Sequence, residues 1–258
     1  MNYYCNMKLS ELSNRLSSLL DIPSFAGADV SLNGLQVGDP NAEIGKVAFA
    51  VDANMETIER AVEAKADMLF VHHGMFWGRP LAVTGVHYDK VKKLLDNGLA
   101  LFACHLPLDA HLELGNNAQM AKRLGLLDVK PFSTYKGVYV GVKGVLESPM
   151  PPSRIISNLG VRTSSRTVVI GDGDRMVSSI GIVSGDGAFD MYEAMREGLD
   201  ALVTGEARYS TYNDCVEAGF TMMCLGHYET ETFGVKAMKE VVEGLGLATC
   251  FIDTHVEI

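Results

Sequence analysis

The pattern of apolar and polar positions alternates between a helical and an extended period along almost the whole chain. Leu9, Leu12, Leu16, Leu19 and Leu20 recur at helical spacing, with Ser10 near the start, and predict a helix over 8–20. Short apolar runs then predict strands at 47–52, 68–72 and 99–104. Amphipathic stretches between them predict helices at 55–65, 88–97 and 116–124, the last two ended by Gly98 and Gly125. Such alternation implies βαβ units and a parallel sheet covered by helices. The pattern loosens between 129 and 153, where Pro131 and the cluster Pro149, Pro151 and Pro152 punctuate it. Beyond it the alternation resumes, with strands expected at 167–170, 180–183, 201–204, 222–225 and 249–252 and helices at 189–197, 208–218 and 231–243.

The expected fold class is therefore α/β: two similar α/β domains with mainly parallel sheets. The first spans 1–128, the second 129–228, and the segment 229–258 is expected to pack back on the first. The halves share a rhythm but no sequence repeat. A length of 258 residues accommodates either one large domain or two modest ones.

Composition narrows the partners. Hydrophobic residues make up 47% and charged residues 21%, as in soluble globular proteins. The formal net charge is −10, scattered along the chain, and no basic stripe with interleaved aromatics occurs. Neither a nucleic acid nor an anionic membrane is the expected partner. The cysteines, Cys5, Cys104, Cys215, Cys224 and Cys250, are odd in number and without CxxC spacing, so no disulfide framework is expected. Three lie in apolar runs and read as small core side chains. No apolar stretch reaches membrane-span length. Residues 1–7 lack a charged start followed by an apolar core, and a cytoplasmic location is expected.

The chemistry lies in the histidines. Four of the seven stand just beyond apolar runs: His72 and His73, His105, and His227. Asp109 follows His105 by four residues, and Glu231 follows His227 by four. The carboxyl ends of parallel strands are where sites form. Adjacent His72 and His73 converge only if the strand ends and the chain turns, which Gly74 permits; alone they would read as loop histidines. Pro107 is expected to hold Leu106 extended and to leave Asp109 on a stiff loop, as a ligand or a turn residue. His105 reads as a ligand or, preferably, as an orienting group or proton carrier, and His111 as a surface residue. Asn116 and Asn117 open a helix and read as caps, with anion recognition as the alternative. Ser184-Gly185-Asp186-Gly187 is a weak phosphate-cradle pattern. Glu206 brings a carboxylate to the same kind of rim, or complements a helix dipole. Together these residues offer three imidazoles (His72, His73, His227) and two carboxylates (Asp109, Glu231). That mixture suits zinc, iron, manganese or nickel and suits calcium poorly. The two oxygens of Glu231 could bridge two ions. If all belong to one site, it lies in a cleft between the two halves.

The runs SLNGLQVGD (31–39), VHHGMFW (71–77), HLPLDAH (105–111), LGNNAQMAKRLGL (114–126), TGEARY (204–209) and GHYETETFGV (226–235) resemble the NIF-three-like family, also called the type-two GTP cyclohydrolase I homologues. The resemblance spans nearly the whole chain, with the motifs in order. It implies two similar α/β domains with a dinuclear metal site between them, assembled into ring-like homohexamers with the metal sites facing the interior. It further implies that His73 and Asp109 hold one ion, His72 and His227 the other, and that Glu231 bridges them. Glu229 stands where the family commonly has a small residue, and Asp186 interrupts what is often a run of glycines. The resulting expectation is a hydrolase using two divalent metal ions, with His105 or Glu206 moving protons and a small-molecule substrate such as a nucleotide; the family name points to opening of the GTP purine ring. A metal-binding protein without turnover and a metal-dependent phosphoesterase are the alternatives. Phe76 and Trp77, close after His73, could wall a cleft or pack at a subunit contact.

Overall fold

The computed structural model describes residues 6–164 and 166–256. Cys5 and the first five of the seven residues from which the absence of a leader was expected lie outside the described residues. From the N-terminus, β1 (Met7–Lys8) leads into α1 (Leu9–Leu19), followed by β2 (Gly34–Val37), β3 (Glu43–Ile44), β4 (Lys46–Asp52), α2 (Met55–Glu63), β5 (Met68–His73), α3 (Gly85–Asp96), β6 (Ala100–Ala103) and the short α4 (Leu106–Ala110). Then come α5 (Asn116–Leu124), β7 (Leu127–Tyr135), β8 (Val138–Met150), α6 (Pro152–Leu159), β9 (Val168–Ile170), β10 (Val177–Val183), α7 (Met191–Arg196), β11 (Ala201–Thr204), α8 (Tyr209–Glu217), β12 (Thr221–Cys224), α9 (His227–Gly244) and β13 (Ala248–Phe251).

The chain divides into two compact units. One comprises the residues up to Leu108 together with Val235–Thr254; the other comprises Asp109–Gly234 and the residues from His255. In the first, the sheet runs β13-β4-β5-β6-β2, parallel throughout except for β2 at its edge. Side chains alternate across a strand, so the sheet has two apolar faces. Ala48, Ala50, Leu69, Val71, Leu101 and Ala103 face Ile58 and Ala61 of α2 and Leu94 of α3. Phe49, Phe70 and Phe102 are register partners across three strands, with ring centroids 5.3 and 5.6 Å apart.

In the second unit the order is β7-β8-β10-β11-β12-β9. Here β10, β11 and β12 are parallel, while β7, β8 and β9 join antiparallel. The expectation of a mainly parallel sheet fails in this unit. The β7–β8 hairpin escaped the sequence pattern because Pro131 reads as a breaker. A proline cannot donate to a ladder, but β7 lies at the sheet edge, where it is tolerated. Pro151 and Pro152 start α6 rather than a linker, since the first helical turn needs no N–H from proline. One face of this sheet packs on α5 and α6 through Met120, Leu124, Ile155 and Leu159. The other packs on α7 and α8 through Met191, Ala194 and Cys215. This burial places α5 in the second unit, whereas the sequence pattern put residues up to 128 in the first.

Cys104, Cys215, Cys224 and Cys250 are free thiols, the first three buried. Burial pushes the Cys215 and Cys224 thiols up to about 11 and about 12. No helix among the described residues is long and apolar enough to cross a membrane.

Candidate metal centre

In the first unit, β4, β5 and β6 end side by side. Asp52 and His73 are register partners at those ends, so their side chains share a face. Asp52 Oδ1 accepts from His73 Nδ1 at 2.8 Å. His72, wholly buried, donates from Nδ1 to the carbonyl of Cys104 at 2.9 Å. His105 donates from Nδ1 to Asp29 Oδ1 at 3.0 Å, and its backbone N–H donates to Asn33 Oδ1 at 2.7 Å. The rings gather tightly, with centroids 4.6 Å (His72–His73), 5.1 Å (His72–His105) and 5.7 Å (His73–His105) apart. One ligand atom from each of the three lies within 4.8 Å of those of the others. Gly74 makes the convergence possible by closeness, not by an unusual backbone angle: a Cβ there would lie 2.4 Å from Gln36 Nε2 and 2.6 Å from Ala103 Cβ.

The partners decide the tautomers. A carbonyl or carboxylate oxygen only accepts, so each of these three rings carries its hydrogen on Nδ1 when neutral and keeps Nε2 as the lone-pair nitrogen. Imidazoles tied back in this way are the usual form of metal-ligating histidines. Asp29 anchors His105 as an ion: burial works to raise its pKa, but the His105 hydrogen bond and charge, with Asn33 and Ser31, outweigh it and bring it to about 2. Trp77 stands edge-on to His105 at 5.0 Å, its indole N–H donating to the Gly74 carbonyl.

In the second unit, the loops after β10, β11 and β12 carry the polar groups. His227 begins α9, and Glu231 lies one turn along the same helix, so the pair shares a helix face. The helix expected over 231–243 begins earlier, at His227; the run Tyr228-Glu229-Thr230 lacks the apolar spacing that would show this in the sequence. His227 Nδ1 donates to Glu206 Oε1 at 2.6 Å, and its Nε2 lies 3.0 Å from Glu231 Oε1. Burial would lower the His227 pKa, but Glu231 and then Glu206 outweigh it and raise it to about 10. A cation is therefore welcome between Nε2 and Oε1, whether a proton or a metal ion that displaces it.

Asp109 is held by a buried hub. Its Oδ1 accepts from Asn116 Nδ2 at 2.8 Å and from the Ser184 hydroxyl at 2.9 Å. Asn116 Oδ1 accepts from Gly234 N at 2.7 Å. Asn117 Nδ2 donates to the carbonyls of Val140 (2.7 Å) and Asp109 (3.2 Å), and its Oδ1 accepts from Ser184 N at 2.7 Å. Both asparagines are wholly buried in the first turn of α5, whose N-cap is Gly115 without a side-chain cap. They are neither caps nor an anion site. Asp109 itself lies in α4, not on an extended loop, because Pro107 falls in a first helical turn and suits it.

The Ser184–Gly187 turn is not a phosphate cradle either. The N–H groups of Ser184, Gly185 and Gly187 donate to Asn117, Thr230 and Thr204. Gly185, at φ +63°, instead makes room for the ligand candidates, since a Cβ there would lie 2.4 Å from Glu231 Oε1. Glu229 is drawn away into an ion pair with Arg162 (2.7 Å) and a hydrogen bond with His255 Nδ1 (3.1 Å). His111 is half-buried and accepts backbone N–H bonds from Glu113 and Leu114. Phe76 is half-buried and Trp77 37% exposed. Three residues outside the expected site support it: Asp52 orients the His73 ring, Asp29 orients the His105 ring, and Asn33 donates to Asp29 and accepts from the His105 backbone N–H; Asn33 lies in one of the family-like runs, and Asp52 stands at a strand end.

The chain matches the profile of the Duf34/NIF3 (NGG1p interacting factor 3) family over residues 7–257. It is 41% identical over 233 residues to a Deinococcus radiodurans protein named GTP cyclohydrolase 1 type 2 homolog, a match covering 90% of this chain and 88% of the relative. A Halobacterium salinarum protein of the same name is 41% identical over 249 residues, covering 95% and 98%. Among solved structures, TTHA1606 from Thermus thermophilus is similar with a TM-score of 0.87 at 37% identity, covering 98% of this chain and all of that one (100%). Reduced HcgD from Methanocaldococcus jannaschii is similar with a TM-score of 0.83 at 26% identity, covering 97% and 99%.

Proposed function

Because the chain belongs to the Duf34/NIF3 family, we propose that it is a hydrolase working with two divalent transition-metal ions. In this reading His73 and Asp109 would hold one ion, His72 and His227 would hold the other, and Glu231 would serve both. The observation that carries it is the set of tied-back imidazoles: Nδ1 of His72, His73 and His227 each donates to a carbonyl or carboxylate, which leaves Nε2 as the coordinating nitrogen. Zinc, iron, manganese and nickel all suit such a donor set. Two such ions would supply Lewis acidity and water activation. The chain's own part is to hold the ligands and to move a proton. His105, fixed by Asp29, takes and returns a proton at Nε2. Asn116 and Ser184 hold the Asp109 carboxylate. The substrate is a small molecule, and the names of the relatives make GTP, opened hydrolytically in its purine ring, the first to try. The free thiols support a reducing compartment, the cytoplasm.

Elemental analysis after mild purification should find two transition-metal ions per chain. Glu231→Ala should shed both more readily than His72→Ala does. At most one ion in reconstituted protein would sink the dinuclear reading. With metal restored, a screen of GTP, other nucleotides and phosphoesters should find turnover that Asp109→Ala and Glu231→Ala abolish. Two firmly bound ions with no turnover across that screen would turn the reading to a metal-handling protein.

A further inference from the structure

The segment that follows β11 carries an ion-pair chain that the proposed hydrolysis does not use. Arg208 donates from Nε to Asp186 Oδ1 at 2.7 Å and from Nη2 to Asp186 Oδ2, a two-point fork. The same Nη2 lies 3.2 Å from Glu206 Oε2. The other oxygen of Glu206 accepts from His227 Nδ1 at 2.6 Å. The two oxygens of Glu206 are thus engaged by two different partners, which fixes the carboxylate plane about its last torsion. The backbone beneath is pinned as well: Gly205 N and Glu206 N both donate to the Gly185 carbonyl at 2.9 Å. A Cβ on Gly205 would lie 2.6 Å from that carbonyl oxygen and 2.8 Å from His227 Cα. With the backbone fixed, only the Glu206 side chain could swing, and Arg208 is the group that stops it.

We infer that Asp186 and Arg208 form a clamp that holds Glu206 against His227, which makes them positioning residues for that metal ligand; the inference rests on the metal reading above. The bland alternative is an ordinary surface ion pair. Arg208 and Asp186 are 44% and 41% exposed, and exposed pairs contribute little to folding. The two readings differ in what the pair changes. A surface pair would alter neither metal affinity nor metal geometry. A clamp acting through Glu206 alters both, because groups that orient a ligating imidazole set its ring direction and basicity. Its influence also falls off outward along the chain, from Glu206 to Arg208 to Asp186.

The test uses the full chain loaded with cobalt(II), read by its visible absorption spectrum and by competition with a chromophoric chelator. Glu206→Gln should weaken one of the bound ions by about 10–100-fold. Arg208→Met should weaken the same ion by roughly 3–10-fold and shift the cobalt bands, with Asp186→Asn smaller still. Arg208→Lys should recover part of the loss, since an ammonium reaches one carboxylate but cannot fork. Unfolding midpoints of the metal-free variants should stay near that of the parent chain, which separates the clamp from general damage. Parental affinity and spectrum in both Arg208→Met and Asp186→Asn would overturn the clamp alone. A parent chain that takes up no cobalt would overturn the metal reading and the clamp with it.

Discussion

Replacing Asn117 with alanine removes a side chain on which three buried backbone groups depend. Ser184 N loses its acceptor at 2.7 Å, and the carbonyls of Val140 and Asp109 lose donors at 2.7 and 3.2 Å. A buried group deprived of its partner costs about 1–3 kcal/mol. An N–H has one hydrogen and so bears the upper part of that range, about 2 kcal/mol, whereas a carbonyl keeps a second lone pair and each costs nearer 1 kcal/mol. The sum, roughly 4 kcal/mol, is a large share of the 5–15 kcal/mol that holds a typical domain folded. At about 2–4 °C per kcal/mol for a chain of this size, the midpoint should fall by roughly 8–16 °C. Asn117→Asp should be no better, since it keeps the acceptor for Ser184 N but lacks both donors and adds a charge near Asp109. The assay is thermal and urea unfolding of the metal-free chain, followed by circular dichroism. A loss below about 0.5 kcal/mol in Asn117→Ala, within the range of an ordinary surface substitution, would refute the view that Asn117 is the buried keystone under Asp109.

Two further outcomes are expected. The Asp200 carboxylate is held below its usual range: burial acts to raise it, but the Ser178 and Ser179 N–H groups, the Ser179 hydroxyl and Arg175 outweigh it. A pKa depressed on folding stabilises the fold above the unfolded value of about 3.9, and that stability is lost as pH falls through the folded value. Asp200→Asn should therefore be less stable than the parent at pH 7, with the gap closing on acidification; a gap that urea midpoints show to be constant with pH would refute this. For assembly, we propose the six-chain ring that the family resemblance implies. Light scattering at micromolar concentration should report a mass near six chains with or without metal, and a stable monomer would refute it.

Much of the fold was legible in the sequence because burial imposes a period. The parallel strands β4, β5, β6, β10, β11 and β12 are covered on both faces, so they read as short unbroken apolar runs, and the helices between them read at helical spacing. What escaped was the part where burial is one-sided. In β7 the described side chains are mostly exposed, and Pro131 sits there because the strand is an edge. In β2, four residues with one glycine offer too little pattern to register.

The site divides the same way. The histidines and carboxylates announce themselves by type and by position after apolar runs, and residue type is a property of sequence alone. Their orientation is not. Which ring nitrogen of His72 carries the hydrogen depends on the carbonyl of Cys104, thirty-two residues away, and that of His105 depends on Asp29, seventy-six residues away. Asn116 and Asn117 look like caps in the sequence because a cap is a local device; only the packing of α5 onto the second sheet buries them and turns them to Asp109, Ser184 and Gly234. Which chemical groups exist, and which strand ends carry them, can be read along the chain because short-range periodicity encodes burial. The tertiary structure decided which acceptor each imidazole faces, because hydrogen bonds over tens of residues leave no periodic trace in the chain.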